Sequence, residues 1–135
     1  MPTDWPEHLP LNFHQGLEQF NQGLYYKCHE TLEALWLAER RSVRELYQGV
    51  LQIAVGCYHL TVRMNFIGAT RKLDEGARRL ERAGIAEGDL YGVQWSALIA
   101  AADRLREHLG GLGLDHVSEY DRSLLPRVVY HLLDP

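Results

Sequence analysis

The sequence predicts an all-α protein: a single compact bundle of about five helices, with a hydrophobic third helix at its centre and an irregular C-terminal arm. Three observations carry that prediction. Apolar residues recur at three- and four-residue spacing in successive stretches, as in Phe13, Leu17, Phe20 and Leu24, and in Ala69, Leu73, Ala77 and Leu80. The run Val50, Leu51, Ile53, Ala54, Val55, Cys57, Tyr58, Leu60 and Val62 is apolar around almost its whole circumference, the pattern of a helix packed on several sides. Glycine, proline and capping residues fall between these stretches.

Residues 1–11 hold Pro2, Pro6 and Pro10 and cannot form a continuous helix, so they read as an arm pinned to the surface by Trp5 and Leu9. Asn12 is expected to cap the first helix, with Gln15 at capping-box spacing, and Gly23 to end it. The second helix runs from about Leu24 to Arg40, with Tyr25, Cys28, Leu32, Leu35 and Trp36 on one face. These two helices are similar to one tetratricopeptide-type hairpin, but no second copy follows at a fixed period, so no solenoid is expected.

Ser42-Val43-Arg44-Glu45 has the form of a capping box and places the start of helix three. That helix should extend to about Met64, with Asn65 or Gly68 as the break. Helix four then covers roughly Ala69 to Arg82, and acid-first pairs of Asp74 with Arg78 and Glu75 with Arg79 mark a solvated outer face. Asp89 is the expected cap of helix five, whose stripe is Leu90, Val93, Ala97, Leu98, Ala101, Leu105 and Leu109 and whose stop is Gly110, Gly111 and Gly113. The expected bundle domain therefore covers residues 12–110. In residues 111–135, Leu124-Leu125-Pro126-Arg127-Val128-Val129-Tyr130 favours extended structure. This arm either lies over the bundle or crosses to a second subunit, which makes a second copy of the chain the expected partner.

The chain has 135 residues, 46% hydrophobic and 24% charged, the size and balance of one soluble globular domain. Its net charge of −4 and its lack of aromatics interleaved with basic residues argue against a nucleic-acid partner. The N-terminus has neither the basic nor the apolar region of a signal peptide, and the longest apolar stretch, Val50 to Leu60, is too short to span a bilayer. A cytoplasmic protein without a membrane partner is expected, with Cys28 and Cys57 as buried thiols on apolar helix faces. The chain shows no nucleophile elbow, glycine-rich phosphate loop or paired-cysteine motif.

Polar residues nevertheless sit where a core is expected. On helix two, His29, Glu30 and Glu33 fall within about one turn, with Trp36 on the adjoining face. On helix three, Gln48, Gln52, His59 and Arg63 form a narrow stripe. If the helices lie side by side, these groups converge, and each buried one needs a partner, since an orphan costs about 1–3 kcal/mol. Three readings follow: a structural network, a pocket for a small molecule, or a metal centre. In the last, His29, Glu33 and His59 hold a divalent ion (zinc, manganese or iron) and Glu30 acts as general base, a variation on H-E-x-x-H with a carboxylate in place of its second histidine. Tyr26 or Tyr47 can reach such a cluster with its hydroxyl. His8, His14, His108, His116 and His131 lack a partner at ligand spacing and read as surface or packing residues.

The run Phe20-Asn21-x-Gly23-x-Tyr25-Tyr26-x-Cys28-His29-Glu30-x-Leu32-Glu33-x-x-Trp36, followed by Tyr47-Gln48-Gly49-x-x-Gln52-Ile53-Ala54-x-Gly56-x-Tyr58-His59, resembles the signature of domain of unknown function 309. The likeness covers roughly residues 13–83. It implies a compact all-helical domain of bacteria and archaea, for which a metal-dependent hydrolase activity has been predicted.

Overall fold

A computed structural model of the chain describes residues 4–85 and 88–131. Pro2 and residues 132–135 of the expected C-terminal arm lie outside the described residues. Five helices, α1 (Leu11–Asn21), α2 (Tyr25–Ala38), α3 (Arg44–Thr61), α4 (Phe66–Arg82) and α5 (Trp95–Leu112), run alternately up and down, each packed on its sequence neighbour. Short 3-10 turns at Leu90–Gly92, Leu114–Glu119 and Arg122–Leu124 complete the helical content. Among the described residues no strand forms, and a single antiparallel bridge joins Val93 to Tyr130.

The core is where the apolar periodicity puts it. Phe13, Leu17 and Phe20 of α1, Cys28 and Leu32 of α2, and Leu73, Ala77 and Leu80 of α4 are all buried. So is most of α3, which lies between α2 and α4 as its all-round hydrophobicity requires. Phe13 ties the layers together, with its ring 5.7 Å from that of Tyr47 on α3 and 6.3 Å from that of Trp95 on α5.

Glycines set the closest approach, that of α3 on α4. A Cβ added to Gly76 would stand 2.7 Å from the Gly49 carbonyl oxygen and 2.9 Å from the Ile53 amide nitrogen. One added to Gly56 would meet the Leu73 amide nitrogen at 3.0 Å. Here the two backbones touch, so a side chain has no room.

Most departures from expectation are at helix ends. Asn12 does not cap α1: the helix already begins at Leu11, behind Pro10, whose carbonyl accepts from Phe13 N at 2.9 Å. The Ser42 capping box does not form either, because the N-terminal arm takes its hydroxyl. Ser42 Oγ donates to Asp4 at 2.9 Å and accepts from Trp5 Nε1 at 2.7 Å, and α3 starts two residues later. α3 stops at Thr61, short of Met64, which takes a left-handed conformation, φ 50°. Asn65 then caps α4 by accepting from Gly68 N at 2.9 Å, so that helix starts three residues before Ala69.

Asp89 does not cap α5. Tyr91, at φ 59°, breaks the segment into a separate turn, anchored by its hydroxyl donating to the Pro6 carbonyl at 2.6 Å. The helix begins at Trp95, and its buried stripe becomes Trp95, Leu98, Ile99, Ala102, Leu105 and Leu109, leaving Ala97 exposed. Gly110 and Gly111 stay helical, and Gly113, at φ 78°, ends α5. The outer face of α4 is not simply solvated, since Arg78 reaches Asp103 on α5 at 2.6 Å as well as Asp74 at 3.1 Å.

Both arms are tied to the bundle. Trp5 stacks on Tyr91, and Leu9 is buried. At the other end Asn21 grips Val128 from both sides, its Nδ2 donating to the carbonyl and its Oδ1 accepting from the amide, each at 2.8 Å. Gln94 N donates to Val129 O at 2.9 Å and His131 N to Gly92 O at 3.0 Å, so residues 128–131 run extended along the bundle.

Candidate functional site: a divided polar cluster

The structure separates the polar residues that the sequence reading brought together. On α2, the i, i+4 spacing sets His29 Nε2 2.8 Å from Glu33 Oε2, and the two satisfy each other on their own helix. They line an open cleft with Tyr26, Glu30, Ala34 and Leu37. Tyr26 borders it, its ring 5.8 Å from His29 and 5.6 Å from Tyr58 of α3. Glu30 is exposed, and Trp36 lies beneath the Arg44 guanidinium, 4.3 Å from the ring centroid.

The α3 stripe turns toward α4. Gln52, the one buried polar side chain among the described residues, accepts from Arg79 Nε at 3.0 Å and donates to Glu75 at 3.4 Å. Arg79 also donates to Glu45 at 2.6 Å, and Lys72 to Glu75 at 2.9 Å. The expected pairing of Glu75 with Arg79 along α4 is thus replaced by bonds that cross to α3. Gln48 is half-buried beside this network. Tyr47 does not reach the cluster: its hydroxyl donates to Glu39 at 3.2 Å, and burial pushes its pKa upward.

His59 lies near Lys72 of the α3–α4 network, but its Nδ1 bonds to neither group. Its ring crowds Gly68 at the start of α4, where an added Cβ would be 2.9 Å from the imidazole Cγ. Its buried Nδ1 has no hydrogen-bond partner. Burial lowers its pKa, and the nearby Arg63 and Lys72 lower it further.

The proposed convergence of His29, Glu33, Gln52 and His59 on one interior spot is therefore corrected. Among the described residues no three His, Cys, Asp or Glu side chains are grouped to hold a metal ion. His29 and Glu33 remain a pair without the His59 ligand, and this donor set does not fit a zinc, manganese or iron centre. The physical reason lies in the helix faces: each polar group found a nearer partner, on its own helix for His29 and across the α3–α4 seam for Gln52. Sequence reasoning missed Glu75 and Arg79 as partners of that glutamine, and Lys72 and Glu45 as the groups that bond those two in turn. The available signal was the seven-residue step from Glu45 to Gln52, facing Lys72, Glu75 and Arg79 at steps of three and four.

With this geometry established, comparison with known proteins adds one match. Residues 13–72 match the family described as Domain of unknown function (DUF309). The matched segment takes in nearly all of α1, α2 and α3 and the first part of α4. It contains both His29–Glu33 and Gln52, while Glu75 and Arg79 lie beyond it. The resemblance to DUF309 read from the motifs is thus supported over the hairpin and the central helix. No curated protein and no solved structure matches the chain.

Proposed function

We propose that the protein is a helical scaffold that acts by presenting surfaces to partners, and that the polar stripe of α3 serves the stability of that scaffold. The observation that carries this reading is Gln52, whose carboxamide is engaged at its oxygen by Arg79 and at its nitrogen by Glu75. Both ends of this amide are engaged in the seam between two helices, where they join α3 to α4. The extension of the network to Glu45 fixes α4 against the first turn of α3.

The test combines denaturation with ion binding. Gln52→Leu and Arg79→Met are expected to lower stability, while excess zinc, manganese or ferrous ion leaves the wild-type Tm unchanged. Stoichiometric binding of one of these ions to chelator-free protein, lost in a folded His29→Ala variant, would overturn the scaffold reading.

One observation favours a second reading. His29 and Glu33 form a hydrogen-bonded dyad in an open cleft that a small molecule can enter. There Glu33 would orient the imidazole, which would take a proton from a bound nucleophile, and Glu30 would supply a second carboxylate. Turnover of a hydrolysable substrate abolished by His29→Ala, and kept by Arg79→Met, is the result that would establish it.

A further inference from the structure

The alternation of the helices brings three chain turns to one end of the bundle: the α1–α2 turn, the α3–α4 turn, and the end of α5 with the residue after Gly113. Contacts along the helices fix this arrangement. Tyr26 packs on Tyr58 between α2 and α3, and Phe66 and Ile67 of α4 border the same cleft as Gly110 of α5. Leu24, Tyr26, Val62, Met64, Ile67 and Leu114 are exposed there, Val62 at 64% and Leu114 at 62%. They are six of the nine large apolar side chains exposed among the described residues. Single exposed leucines need no explanation, but such a concentration at one end does.

The α3–α4 turn keeps Met64 in the left-handed region, where glycine or asparagine would sit without strain. A large apolar side chain is thus held at the tip of the turn at a conformational cost.

Charge at this end runs against that of the chain. The net charge is −4, yet Lys27, Arg63 and Arg71 flank the apolar tips, and none has a carboxylate within 4.0 Å among the described residues. From Phe20 to His29 and from His59 to Leu73 there is no aspartate or glutamate. Asp115 and Glu119 are the acids of the turn after α5, and Glu119 is paired with His116 at 2.6 Å.

We propose that this end of the bundle docks on an anionic lipid surface. Leu24, Tyr26 and Val62 border one shallow cleft, while Met64, Ile67 and Leu114 lie outside it; a flat surface meets all of them together, while the flanking cations reach headgroup phosphates and carboxylates. No described helix is long and apolar enough to cross a membrane, and an end-on peripheral contact requires none. A second copy of the chain fits less well, because a two-fold contact through this end sets unpaired cations against their own kind. The inference rests on the scaffold reading for what the surface is for, but it uses none of the residues of the α3–α4 network.

The experiment is sedimentation of the full chain with vesicles of phosphatidylcholine alone and of equimolar phosphatidylcholine and phosphatidylserine. Partitioning to the anionic vesicles only, weakened by salt, is expected. Lys27→Gln, Arg63→Gln and Arg71→Gln should each reduce it about fivefold. A Val62→Ser, Met64→Asn variant should lose it while keeping the wild-type helical spectrum; Asn at position 64 also relieves the backbone. Absence of binding, or equal binding to neutral vesicles, overturns the proposal. So does a dimer, or capture of a polyglutamate peptide without vesicle binding, if either is lost in the same variant. Failure here with the stability of Gln52 and Arg79 variants as expected leaves the scaffold reading standing. Turnover that depends on His29, with vesicle binding intact, removes the scaffold reading alone.

Discussion

Arg79 of α4 donates through Nε to the Gln52 carbonyl oxygen of α3 at 3.0 Å, and the same guanidinium donates through Nη1 to Glu45 at 2.6 Å. One side chain therefore satisfies a buried amide and a partly exposed carboxylate on the neighbouring helix. Arg79→Ala strands the Gln52 oxygen and should cost about 1–3 kcal/mol in urea denaturation with an unchanged slope. Arg82→Ala, at an exposed position of the same helix, should stay within about 0.5 kcal/mol.

The α3–α4 seam makes a sharper test, because two glycine substitutions should act in opposite directions. In Gly76→Ala the new methyl group meets backbone atoms of Gly49 and Ile53 that cannot swing aside, so the helices must separate. Overpacking of this kind costs about 1–3 kcal/mol or more. In Gly110→Ala, on α5, the methyl group enters open space, and a gain of about 0.5–1 kcal/mol is expected from the better helix former. Thermal melts of the two variants against wild type decide the matter.

Asn21 holds residues 128–131 against the bundle with two side-chain bonds to Val128. Asn21→Ala should cost about 1–2 kcal/mol and release that segment first. Hydrogen exchange should show faster exchange at the amides of Val128 and His131, with those of α3 unaffected.

His14 and His59 both carry a buried Nδ1 without a partner, and burial is the main cause lowering each pKa below the ordinary 6.5. In the window between the lowered folded value and 6.5 the unfolded chain binds more protons, so this contribution is complete above that window and is lost as pH falls through it. Melting temperature should accordingly drop as pH falls from 6.5. His14→Phe, which keeps an aromatic ring beside Tyr130, should flatten part of that slope.

The fold was legible because it rests on periodicity: the seam of Ala69, Leu73, Ala77 and Leu80 is buried residue for residue, and the all-apolar α3 is central. Helix ends were less so, since they depend on what arrives from a distance. Nothing near Ser42 shows that Asp4 and Trp5 will claim its hydroxyl, or near Asp89 that Tyr91 will bend the chain to reach Pro6. The site was half legible. The spacing of His29 and Glu33 gave their pair, but which neighbour a polar stripe faces depends on helix rotation, a matter of a few tens of degrees that one sequence does not encode locally. Gln52 meets the condition set for that stripe, since it is buried and partnered, but its partners come from α4 rather than α2.

Cys28 and Cys57 face the α2–α3 core with no exposed surface, and burial pushes both thiols up to about 12. Thiolate, the nucleophile that attacks alkylating reagents, is thus scarce as well as shielded in the native bundle. Iodoacetamide uptake by these two sulfurs becomes a clock for the opening of that helix pair, readable by mass spectrometry in dilute protein or in whole-cell extract.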